Sequence, residues 1–137
     1  HCSLRLYTLD PKAIIPGATN MGSVEYYSEM PYVFANSKIN LNISLRSIQS
    51  GIPLRAMDIM GAGGFLLSNY QADFLDYFIP DEDFVYYESE EDLCEKVEYY
   101  LSHEAKRKEI AHNGHEKVKQ NHSFEKFFEH IFSIVFP

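Results

Sequence analysis

Cysteine is almost absent from this 137-residue chain: Cys2 and Cys94 are the only two. They cannot build a disulfide framework or a four-ligand zinc site, so a reducing compartment, the cytoplasm, is the expected location. Long apolar runs are also missing. Nothing approaches the roughly 20 residues of a membrane-spanning helix, and no charged-then-apolar leader opens the sequence. Positive charge is scarce, with 12 Lys and Arg against 20 Asp and Glu and a net charge of -8. A general nucleic-acid binder needs clustered cations to displace counterions, so that class is excluded. With only 7 Gly and 6 Pro, and 45% hydrophobic residues, collagen, low-complexity and disordered classes fall away as well. What is left is one globular domain, residues 1–137, long enough for an ordinary core.

The charge is unevenly distributed. Residues 1–72 carry five basic and four acidic side chains, whereas residues 73–137 carry seven and sixteen. An anionic small ligand is therefore expected against the first half. The acidic run from Asp81 to Glu98 reads as a solvated face.

Strand-length apolar runs alternate with helical patterns along the chain. Residues 4–8 read as a strand, followed by a loop punctuated by Pro11, Pro16, Gly17 and Gly22. Ser28 is placed to cap a short helix through Asn36. Residues 38–44 alternate, with Ile39, Leu41 and Ile43 on one face and Asn40, Asn42 and Ser44 on the other, which predicts a strand. Pro53 opens a helix to about Gly61, which Gly63 and Gly64 end. Residues 65–68 and 84–87 read as strands around a short helix over 72–78. Three helices follow, marked by Leu93, Val97, Tyr100 and Leu101, then Ile110, Ala111 and Val118, then the stripe from Phe124 to Val135. This alternation predicts an α/β fold: a Rossmann-like parallel sheet with helices on both faces, ending in helices. Four strands are few, the chain opens on His1, and the first strand follows no other element. The expectation is a doubly wound half-domain that begins part-way through.

The cluster Gly61-Ala62-Gly63-Gly64 closes a helix and opens a strand, the reverse of a phosphate-binding loop, so it reads as a helix end and tight turn. Asp58 is the only acid between Glu29 and Asp73. On a helix that starts at the carboxyl end of a strand, a lone carboxylate can accept ribose hydroxyls; an intrahelical pair with Arg55 is the alternative. Arg46 and Arg55 flank the segment between that strand and helix, and Lys38 opens the strand. A diphosphate needs such cations, Arg best because it binds bidentately. The Asn40, Asn42 and Ser44 stripe implies either an edge strand or a polar cleft at its carboxyl end. Asn69 and Tyr70, in the loop leaving the next strand, are candidates to face the same cleft. The remaining signals are bland. His103, His112, His115, His122 and His130 lack zinc-helix spacing, and His112 and His115 read as solvent-facing. Cys94 reads as core, and no Gly-x-Ser-x-Gly elbow is present.

Several stretches together resemble a known family. They are Met30-Pro31-Tyr32-Val33-Phe34 with Ser37-Lys38-Ile39-Asn40-Leu41-Asn42, then "GIPLRAMDIMGAGGFLLSNYQADF", the tail "EEDLCEKVEYYLSHEAKRKEIAHNGHEKV" and "HSFEKFF". From about Gly22 onward the chain resembles the C-terminal half of CgeB-like, spore-maturation-type glycosyltransferases of the GT-B fold, within glycosyl transferases group 1. The resemblance implies a metal-independent donor domain for a nucleoside-diphosphate sugar, UDP-sugar first, with no other cofactor and with an acceptor domain outside this chain. It places Asp58 at the position that holds the donor's ribose. Many retaining members carry a second acid eight residues earlier, where this chain has Ser50. The upstream strand with its basic phosphate contacts would precede His1.

The expected function is donor binding for sugar transfer, through Asp58, Arg55, Arg46, Asn42, Asn69 and Tyr70, with no metal site. The alternative is a degenerate, non-catalytic GT-B-like module used for structure or interaction. A receiver-like signalling domain ranks third, because its acid pocket is absent. The apolar stripe of the last helix, Phe124 to Val135, is expected to drive self-association.

Overall fold

The computed structural model describes residues 3–45, 47 and 50–136. The expectations on Cys2 and Arg46 lie outside them.

Strand β1 (Leu4–Tyr7) pairs in parallel with β2 (Ala18–Gly22). β2 falls where the sequence predicted only loop. Its residues, Ala-Thr-Asn-Met-Gly, carry one β-branched side chain and give little strand signal. The ten-residue connection contains no helix. Asn20 pins it, its Nδ2 donating to the carbonyls of Ala13 at 3.0 Å and Asp10 at 3.3 Å. Helix α1 (Met30–Asn36) follows with Pro31 in its first turn. Ser28 does not cap it: its hydroxyl donates to the Glu25 carboxylate at 2.7 Å, inside a turn just upstream.

The second sheet is parallel throughout, in the order β3 (Asn40–Asn42), β4 (Leu66–Asn69), β5 (Val85–Tyr87). Helix α2 (Leu54–Gly61) connects β3 to β4, and a 3-10 turn (Ala72–Asp76) stands where the sequence predicted a short α-helix. Gly63, with φ of 82°, supplies the left-handed residue that ends α2. Gly64 then lets the chain pass so close to Asn40 and the Phe34 carbonyl that a Cβ would lie 2.7 Å from each. Helices α3 (Glu90–Ser102), α4 (Glu104–Asn121) and α5 (Phe124–Val135) complete the chain. Ser89 caps α3, its Oγ accepting from the Asp92 N–H at 3.1 Å.

β4 is buried on both faces, as a central parallel strand should be. On one face Leu66 packs with Ala56, Ile59 and Met60 of α2, Phe74, Phe78, Phe84 and Val118 of α4. On the other, Phe65 and Leu67 pack with Val85, Tyr100 of α3 and Ile110 of α4. Helices therefore cover both faces of the sheet.

β3 is an edge strand, and its faces are inverted relative to hydropathy. Asn40 and Asn42 are buried, whereas Leu41 and Ile43 are exposed. Asn40 is satisfied by the Phe34 carbonyl at 3.0 Å and the Phe65 carbonyl at 3.3 Å. Cys94, expected in the core, is an exposed free thiol, because it falls off the Leu93, Val97 and Tyr100 stripe that faces the sheet. The acidic run is not wholly solvated either: Asp83 is buried and paired with Lys117 at 2.6 Å. His115 is half-buried, its Nδ1 3.2 Å from the Met60 carbonyl.

Candidate functional site

The carboxyl end of β3 and the start of α2 border an open cleft of about 340 Å³, lined by Asn42, Ile43, Ser44, Leu45, Ser50, Gly51, Ile52, Pro53 and Arg55. This is where ligands gather in open α/β sheets. Its size is at the lower end for small-molecule sites, enough for part of a nucleotide.

A polar network stitches the ends of β3 and β4 beside the cleft. Asn42 Nδ2 donates to Ser68 Oγ at 3.0 Å, and the Ser44 N–H donates to Asn69 Oδ1 at 2.7 Å. The Ser44 hydroxyl donates to Gln71 Oε1 at 3.2 Å. Asn42 thus reaches the cleft wall while its amide serves the network, and Asn69 fixes the loop after β3. Tyr70 sits further along, edge-on to the Tyr86 ring at 5.1 Å. It is outside the cleft lining.

Arg55 and Asp58 lie one turn apart on α2, yet the intrahelical pair does not form; no ion pair joins them among the described residues. Arg55 lines the cleft. Asp58 Oδ2 instead accepts a 2.5 Å hydrogen bond from the hydroxyl of Tyr26, in the segment between β2 and α1. That bond holds the Tyr26 phenol above its ordinary pKa, because ionisation would leave two anions in contact. No spacing in the sequence links positions 26 and 58. The 23–29 segment follows the carboxyl end of β2, as the start of α2 follows that of β3, but β2 itself was read as loop, so the sequence carried no signal for this meeting.

Ser50, where the resemblance puts a second acid, lies on the cleft wall and brings no carboxylate there. No group of three or more His, Cys, Asp or Glu gathers to hold a metal ion among the described residues. No helix among them is long and apolar enough to cross a membrane.

The comparisons with known proteins agree with this architecture. No curated protein matches the chain significantly. Among solved structures, the chain is similar to the C-terminal domain of a glycosyl transferase group 1 family protein (LpcC) from Francisella tularensis. The TM-score is 0.60 at 17% identity, over 79% of this chain and 55% of that one. The chain thus spans about half the length of that structure, and at this identity the likeness establishes the fold: that of a GT-B C-terminal domain. A family model described as glycosyl transferase-like matches residues 8–133. With nearly its whole length so matched, the chain belongs to the glycosyl transferase-like family.

Proposed function

We propose that this chain is the donor-binding half of a glycosyltransferase of the CgeB-like type, taking a nucleoside-diphosphate sugar, UDP-sugar first. Asp58 accepts the ribose hydroxyls, and the Arg55 guanidinium offsets the charge of the diphosphate as it leaves. The observation that carries the reading is the position of Arg55, on the wall of the cleft at the carboxyl end of β3 and one turn from Asp58 on α2. Transfer needs an acceptor held in near-attack geometry with water excluded, which a partner domain supplies. Alone, this chain binds donor without transferring sugar.

Thermal-shift measurement against a panel of nucleoside diphosphates tests the reading. UDP is expected to raise the melting temperature, to act equally well in EDTA, and to lose effect as salt screens Arg55. No shift with any nucleoside diphosphate would refute donor binding; a strict manganese requirement would refute the metal-free form of it. A second reading, a module that has lost catalysis, is favoured by Ser50 on the cleft wall. Donor binding followed by no transfer in the full-length protein would establish it.

A further inference from the structure

We propose that Tyr26 is a positioning residue for Asp58, fixing the orientation in which its carboxylate meets the donor. The inference rests on the donor-binding reading and adds to it a residue from another part of the fold.

Tyr26 is mounted in a hydrogen-bonded turn. In the 25–30 turn, Glu25 accepts from the Ser28 hydroxyl at 2.7 Å, and its own N–H donates to Glu29 Oε2 at 2.7 Å. The Glu25 carbonyl accepts from the N–H groups of Glu29 at 3.1 Å and Met30 at 2.9 Å. Tyr27 packs edge-on against the Tyr26 ring, with centroids 5.1 Å apart. The hydroxyl is thereby delivered to Asp58 Oδ2 by a preformed turn, 32 residues away in sequence.

The chemistry of the pair divides labour on α2. A carboxylate offers about four lone-pair sites, and Tyr26 uses one, leaving Oδ1 and the rest of Oδ2 for a cis-diol. A neutral phenol orients the carboxylate without cancelling its charge. Arg55, three residues earlier on the same helix, would be the competing partner, and pairing with it would consume both groups at once. Arg55 itself lies on the cleft wall, available to a diphosphate.

The test is a double-mutant cycle on UDP affinity by calorimetry, using the whole chain. Tyr26→Phe keeps the ring of a half-exposed side chain, so the fold is retained, and an unchanged melting temperature checks this. UDP binding is expected to weaken about three- to tenfold, the size of one ordinary hydrogen bond. In the Asp58→Asn background the same change should cost less than about twofold, because Tyr26 acts only through that carboxylate. Tyr27→Phe is the control and should leave affinity unchanged. If Asp58→Asn weakens UDP but Tyr26→Phe does not, the positioning role is wrong and the donor reading survives. Losses that multiply in full in the double variant would make Tyr26 an independent contact and overturn the proposal. Failure of the unmodified chain to bind any nucleoside diphosphate would end both.

Discussion

Asn42 donates from Nδ2 to Ser68 Oγ at 3.0 Å, and both side chains are buried between neighbouring parallel strands. Ser68 passes the bond on to the Asn69 carbonyl at 3.1 Å. The network occupies a place that aliphatic side chains would fill in a sheet covered on both faces, and every member has a partner. Buried polar groups are tolerated only on that condition.

Asn42→Ala removes the donor to Ser68 and leaves a small void at the carboxyl end of β3. The expected loss is about 1–3 kcal/mol, the cost of a buried polar group deprived of its partner. Urea unfolding measures it. A loss below half a kcal/mol would mean that water takes over the bond at no cost.

The helix–loop contact at Gly114 makes a second prediction. A Cβ there would lie 2.4 Å from the Asp83 carbonyl oxygen and 3.3 Å from Met60 Sδ. Two effects oppose each other in Gly114→Ala. Helix propensity favours alanine by about 0.8–1 kcal/mol. Overpacking against backbone costs about 1–3 kcal/mol and must also shift Asp83, whose carboxylate holds Lys117 at 2.6 Å and the Ile79 N–H at 2.8 Å. Overpacking wins, and the variant is expected to melt lower than the unmodified chain. An unchanged or raised melting temperature would contradict the close approach of α4 to the 79–83 loop.

His122 gives stability a pH dependence. Its ring packs against Phe78 at 5.5 Å and Tyr77 at 5.6 Å, and burial, with Lys117 adding to it, lowers its pKa from the ordinary value. The unfolded chain therefore takes up the proton at a higher pH than the folded one. The contribution of His122 is complete above about pH 6.5 and declines as pH falls through the lowered folded value. Denaturant unfolding at pH 7.5 and at pH 5 should show a decline that His122→Phe reduces. Equal declines in the two proteins would remove His122 as the cause.

Much of the fold was legible because burial leaves a period in the sequence, and the departures occur where burial and hydropathy part. The continuous apolar run at 65–67 announced a strand covered on both faces, and it is one. The alternation at 38–44 announced a strand, and its polar stripe left an edge position open, which β3 holds, but alternation alone does not say which face is buried. Asn40 and Asn42 are drawn inside by the carbonyls of Phe34 and Phe65 and the hydroxyl of Ser68, partners that hydropathy does not register. At the candidate site, the lone acid of α2 was conspicuous, and its helix does start beside a cleft. Its partner was not legible, since the meeting of Tyr26 and Asp58 is a product of how the segment after β2 returns to α2. Local spacing carries i to i+4 relations well and carries a 32-residue separation not at all.

Helix α5 yields the last prediction. Ser123 caps it, its Oγ accepting from the Lys126 N–H at 3.3 Å, so the helix is well started. None of its residues is buried, although Phe124, Phe127, Phe128, Phe132, Ile134 and Val135 crowd its twelve positions. The rings of Phe128 and Phe132 stack on one another, with centroids 6.4 Å apart, which organises the apolar face without covering it. Contiguous apolar area of this kind rarely stays in water. A chain ending at His122 keeps both core clusters, whose members all precede α5, and the His122 ring against Phe78 and Tyr77. Light scattering should therefore find the 137-residue chain associating as concentration rises and the shortened chain monomeric, with little change in melting temperature for the monomer. Equal masses for the two at every concentration would show that α5 does not drive association, and a large drop in melting temperature would show that it belongs to the core.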